Sequence, residues 1–127
     1  MADLDDVRRI AGSLPEVTLT DPASDEQFGA GVRGKGFAWT WMQRPERQGP
    51  RIPRPDVLAV RTRGVVGKDE LIAADPDIYF TEPHYNGFPA VLVRLEAIDV
   101  DELRELLTDA WLVQAPRRLA KEHGLAD

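Results

Sequence analysis

Apolar positions fall at helical spacing near both ends of the chain and at alternating spacing in its middle. Leu4, Val7, Ala11 and Leu14 form one stripe of an amphipathic helix, with Asp3 as its cap and Pro15 as its stop. After the polar stretch "TDPASDE", Gln27 to Val32 reads as a strand, and "RGKG" at 33 to 36 supplies the glycines of a tight hairpin turn. Phe37 to Met42 returns as a second strand. Strict alternation predicts Phe37, Trp39 and Trp41 on one face, with Ala38, Thr40 and Met42 on the other. Residues 44 to 55 hold four prolines and four arginines, which predicts a stiff, extended and exposed arm with few ladder donors.

"DVLAVRT" at 56 to 62 resumes as a strand, and Lys68 to Asp75 is a short helix ending before Pro76. "DIYF" is a short strand, "TEPHYNGFP" a turn-rich connection, and "AVLVRL" at 90 to 95 an apolar strand suited to the centre of a sheet. Asp99 and Glu102 resemble a capping box for a helix whose stripe is Leu103, Leu106, Leu107, Ala110 and Trp111. Pro116 opens a last short basic helix that Gly124 ends. Without internal repeats or a dividing linker, residues 1–127 predict a single α+β domain on a mostly antiparallel sheet.

Composition narrows the chemistry. There is no cysteine, which excludes disulfides and thiolate metal sites. The N-terminal stretch is acidic where a signal peptide would be basic, and no apolar run approaches the roughly 20 residues of a membrane span. The expectation is a cytoplasmic protein. The formal net charge is −6, yet Arg33 to Lys68 carries nine Lys or Arg residues against only Glu46 and Asp56. A basic segment is therefore set in an otherwise acidic chain, and a local positive field can survive a contrary net charge.

That segment supplies the first candidate site. Arg33 and Lys35 at a hairpin tip, with Arg44, Arg47, Arg51 and Arg54 on the arm, are placed to neutralise phosphates, and Arg117, Arg118 and Lys121 extend the group. Trp39 and Trp41 are candidates for stacking on bases, or for the buried inner face of the sheet. His84 and Tyr85 form the one pairing with an enzymatic look, with Asp75, Asp77 or Glu82 available to orient the imidazole; the alternative is that they simply hold a turn. Neither Ser13 nor Ser24 lies in a nucleophile motif, so no catalytic residue is assigned. Only two histidines are present, and the acids Asp3, Asp5 and Asp6 suit a helix N-terminus, so neither a metal site nor a cofactor is expected. "GAGVRG" at 29 to 34 has the letters of a dinucleotide fingerprint but runs into a hairpin instead of opening a helix.

Four stretches together resemble the MmcQ/YjbR family: "VRRIAGSLPEV" at 7 to 17, "VRGKGFAW" at 32 to 39, "LIAADPDIYFTEPHYNGFPAVLVRL" at 71 to 95 and "DVDELRELLTDAWLVQAPRRL" at 99 to 119. The resemblance implies a fold like that of the bacterial frataxin homologue CyaY, a curved, mostly antiparallel sheet packed on helices, with projecting hairpins likened to a "double wing" DNA-binding arrangement. This chain departs from shorter members in its long proline-rich 44 to 55 segment and its acidic balance. The combined expectation is a non-enzymatic binding module for DNA or another nucleic acid. The alternatives are a protein-interaction module with an acidic partner, a small-ligand module, and an enzyme or resistance factor centred on His84 and Tyr85.

Overall fold

The first helix forms where the Asp3 cap and the apolar stripe place it. The computed structural model, which describes residues 1–44 and 49–125, begins with α1, Leu4–Ser13. Asp3 and Asp6 each accept the other's backbone N–H at 3.0 Å, closing a capping box. The Asp3 N–H and then the Arg9 guanidinium hold the Asp6 carboxyl below its ordinary pKa. Leu4, Val7, Ile10 and Ala11 make the buried face.

An unforeseen edge strand follows, β1, Val17–Thr20. It pairs with β2, Gly29–Val32, which turns through Arg33 and Gly34 into β3, Lys35–Gln43. Both turn residues have positive φ, 51° and 81°, the geometry that matches a two-residue turn to strand twist. β4 is Ile52–Arg61, longer than the reading from 56 onward. Residues 52 to 54 pair with Gln43, Met42 and Trp41, so this part of the expected arm is the base of a β3–β4 hairpin. Proline is tolerated there because the next strand reaches only residues 57 to 61 of β4, leaving Pro53 and Pro55 on a one-sided stretch. Arg47, the remaining arginine of that arm, lies outside the described residues.

The chain continues as α2, Gly64–Ala74, β5, Tyr79–Phe80, a 3₁₀ turn at Pro83–Tyr85, β6, Ala90–Arg94, α3, Val100–Gln114, and α4, Arg117–Glu122. The sheet is antiparallel throughout, in the order β1-β2-β3-β4-β6-β5, so β6 is interior as its apolar run predicts. The helices' apolar faces bury Val7, Ile10, Leu103, Leu107, Trp111 and Leu119 against Val32, Leu58, Val60, Val91 and Val93 of the sheet. Among the described residues no helix is long and apolar enough to cross a membrane.

Asp99 caps α3 through the Glu102 N–H at 2.8 Å, but the Glu102 carboxylate does not complete a box. It accepts instead from the buried Tyr79 hydroxyl at 2.5 Å, tying β5 to α3. Burial, and then this carboxylate, push the Tyr79 pKa above its ordinary value. A phenol whose folded pKa is raised contributes stability that is complete below the unfolded value near 10 and is lost as pH rises beyond it. Tyr79→Phe is therefore expected to cost about 1–2 kcal/mol near neutrality. Its denaturation midpoints should also decline less steeply than the wild type's above pH 10, as urea titrations at stepped pH would show.

Candidate functional site

Trp39 anchors the face of the sheet opposite the one that α1 and α3 cover. The register aligns Trp39 with Ala59, and Ala59 with Leu92; these residues join Trp41, Val57, Phe80 and Tyr85 in a second, smaller apolar cluster. Phe37 does not share that face as strict alternation predicts. Ala30 pairs with Ala38 and Gly31 with Gly36, so Phe37 is an extra residue in β3 and turns into the helix-side core. A second irregularity follows Thr40, where Pro55, Asp56 and Val57 intervene before Arg54 meets Trp41.

The two tryptophans occupy different settings. Trp41 is buried and meets Phe80 edge to face at 5.8 Å, while Arg94 lies 4.0 Å from the Phe80 ring centre. Trp39 is half-buried, and its indole N–H donates to the Tyr85 hydroxyl oxygen at 3.1 Å. Phe88 completes the group, with edge-to-face separations of 6.4 Å to Trp39 and 5.8 Å to Tyr85.

Tyr85 and Phe88 come from the connection between β5 and β6. Glu82 caps its 3₁₀ turn by accepting the His84 N–H at 2.9 Å. Asn86 (φ −63°, ψ 129°) and Gly87 (φ 80°) then make a type II β-turn, closed by the Phe88 N–H on the Tyr85 carbonyl at 3.0 Å. Only glycine takes that positive φ without strain, which accounts for the Asn-Gly pair in the sequence.

Between this wall and the β3–β4 hairpin lies a cleft of about 420 Å³ lined by Trp39, Met42, Arg44, Arg51, Glu82, His84 and Tyr85. Arg44 and Arg51 flank the Gln43–Ile52 pair, so the hairpin delivers two guanidinium groups to one opening. The Arg44 Nε is buried and has no hydrogen-bond partner among the described residues. Burial raises the Tyr85 pKa, with the Trp39 N–H pulling the other way, so the phenol is neutral at physiological pH. Its oxygen accepts from Trp39, which leaves its own O–H to donate. The cleft thus offers cationic forks, an aromatic wall, a phenol donor and an imidazole.

Five of the candidate residues meet here: Trp39, Arg44, Arg51, His84 and Tyr85. The others do not. Arg33 forms a two-pronged pair with Glu16 at 2.6 and 3.0 Å, and with Lys35 it sits at the far end of β3, a nine-residue strand spanning roughly 30 Å. Arg54 bonds Gln43 at 2.7 Å and Asp56 at 3.4 Å beside Trp41. Arg117 and Arg118 are exposed on α4, where Arg118 lies 3.9 Å from Glu122. Met42 and Phe88 escaped the sequence reading because nothing local distinguishes them from ordinary strand and turn residues. Lys68, described below, left one trace: a single cation amid the apolar positions of "GVVGKDELIAA".

Three comparisons bear on this arrangement. The uncharacterised proteins Mb2600 of Mycobacterium bovis and Rv2570 of Mycobacterium tuberculosis are each 42% identical to the chain over 127 residues, covering 95% of this chain and 95% of theirs. The crystal structure of Deinococcus radiodurans protein DR2400, which carries a DUF419 domain, superposes with a TM-score of 0.64 at 26% identity, covering all of this chain and 91% of that one. A family model described as YjbR matches residues 12–113, a span that holds the whole sheet and every residue of the cleft. With that match running from the end of α1 through most of α3, the chain belongs to the YjbR family.

Proposed function

We propose that the protein is a non-enzymatic binding module for single-stranded nucleic acid, taken on the sheet face opposite α1 and α3. The observation that carries this reading is the convergence of Arg44 and Arg51 with the half-buried Trp39 in one cleft. Guanidinium groups pair with phosphate oxygens in a planar fork, and an aromatic ring receives a base on its face. A single strand presents both groups at once, whereas a duplex hides its base faces. His84 and Tyr85 then contribute a polar edge, the phenol as donor to a base or sugar oxygen.

Anisotropy of a labelled oligothymidylate at stepped salt concentration tests this. Two phosphate contacts on a single strand predict roughly a sevenfold loss of affinity between about 50 and 200 mM salt. The Arg44→Ala, Arg51→Ala double variant should lose most of that slope while Arg117→Ala, Arg118→Ala keeps it. Absence of binding at the lowest salt, or an unchanged slope in the cleft variant, defeats the reading. The size of the cleft favours a second reading, a small aromatic anion, since sites for such ligands begin near 300 Å³. A nucleoside monophosphate that competes as well as the oligonucleotide would favour that ligand class.

A further inference from the structure

Lys68 is a cation where the fold has every reason to place an apolar side chain. It is 2% exposed, on the buried side of α2, and it makes no ion pair among the described residues. Burial draws its pKa below the ordinary value, with the nearby charges of Asp69 and Glu82 opposing. A leucine or methionine would fill the same volume without desolvating a charge. What the ammonium adds is direction. It donates to the carbonyl oxygen of Tyr85 and, at 3.1 Å, to that of Phe88.

Those two carbonyls are the ends of the type II turn that carries the aromatic wall. The turn's own bond runs from the Phe88 N–H to the Tyr85 carbonyl, and the Ala90 N–H joins the Phe88 carbonyl at 2.8 Å where β6 begins. The ammonium therefore fastens the turn from beneath, while the Tyr85 and Phe88 rings above it meet Trp39. Accepting the reading of the cleft as a binding site, we propose that Lys68 is its positioning residue: the buried ammonium fixes the Tyr85–Phe88 turn and thereby the ring geometry that the cleft presents to a ligand. Lys68 itself is absent from the cleft lining, so it acts through the turn.

Hydrogen exchange on the whole protein tests this without any ligand. In Lys68→Met the amides of Tyr85, Asn86, Phe88 and Ala90 should exchange at least roughly tenfold faster, the effect of losing charge-assisted hydrogen bonds from a local opening equilibrium. Amides of α1 and β2 should change far less, and Lys68→Arg, which keeps cationic donors, should restore part of the protection. Unchanged exchange at the four amides, or acceleration spread evenly over the fold, overturns the proposal. Should Lys68→Met not fold, the wild type decides through scalar couplings across the hydrogen bonds from the Lys68 ammonium nitrogen to the Tyr85 and Phe88 carbonyl carbons. Their presence supports the clamp, and their absence in a resolved ammonium signal refutes it. Oligothymidylate affinity, measured on the same variants, should fall in step with the lost protection; affinity unmoved by a loosened turn also overturns the positioning role. Local loosening in Lys68→Met, together with a wild type that never binds the oligonucleotide, would leave the clamp standing and discard the nucleic-acid reading instead.

Discussion

Trp111→Ala is expected to destabilise the fold by about 3–5 kcal/mol, against a total of about 5–15 kcal/mol for a domain of this kind. Trp111 is fully buried on α3, and its indole N–H donates to the Pro15 carbonyl at 2.9 Å. One side chain thus fills the core and holds the junction that follows α1, 96 residues away in sequence. The alanine variant leaves a cavity and strands the Pro15 carbonyl. Thermal midpoints should fall by roughly 12–20 °C, read by circular dichroism or calorimetry. Trp111→Phe separates the two effects: it keeps much of the packing and loses the hydrogen bond, so about 1–3 kcal/mol should go. A fall of less than about 1 kcal/mol for alanine would mean that the core closes over the gap, contrary to the close packing general to protein interiors.

Trp39→Ala should weaken oligothymidylate binding about 5- to 150-fold, the range for losing one base stack of about 1–3 kcal/mol. The stability cost should be smaller than at Trp111, because Trp39 is half-buried in a satellite cluster. Trp39→Phe keeps an aromatic face and removes the donor to Tyr85. Its binding should therefore lie much nearer the wild type's, and quenching of Trp39 emission on titration should vanish in both variants. Equal losses for alanine and phenylalanine would assign the effect to the indole N–H, while no loss in either would remove stacking from the account.

The sequence carried α1, α3 and α4 well because their information is local, whereas α2 begins at Gly64, four residues before the reading from Lys68, because no side chain caps its start. Asp3 caps α1 through Asp6 just as its spacing suggests, and the Leu103–Trp111 stripe is the face that α3 buries. The β2–β3 turn was equally readable, since Gly34 is the natural second residue of such a turn. β1 escaped because "VTLT" is only four residues long and an edge strand buries little. The face of Phe37 escaped for a different reason: one extra residue reverses side-chain direction, and the register that creates it is set by β2, not by any neighbour in sequence. The cleft was half legible. The arginine cluster and "PHYNG" each stood out, but their meeting depends on β6 lying beside β4, which carries the 81–89 connection toward the β3–β4 hairpin. Lys68 could be named only once the carbonyls it serves, 17 and 20 residues away, were in place.

The strand order also dictates a timetable during synthesis. β1 to β4 join in sequence as adjacent hairpins, each strand finding its partner in the segment just made. β5 has no such option, because its sole neighbour is β6, which follows it in the chain. The second half of the sheet therefore waits until Arg94 has been made, and the apolar face of Leu58 and Val60 waits longer still for α3. A nascent chain halted between residues 62 and 90 has the residues of β1 to β4 but not those of β6, so any meander it formed would present β4 as an open, uncovered edge, the form most prone to pair with another chain.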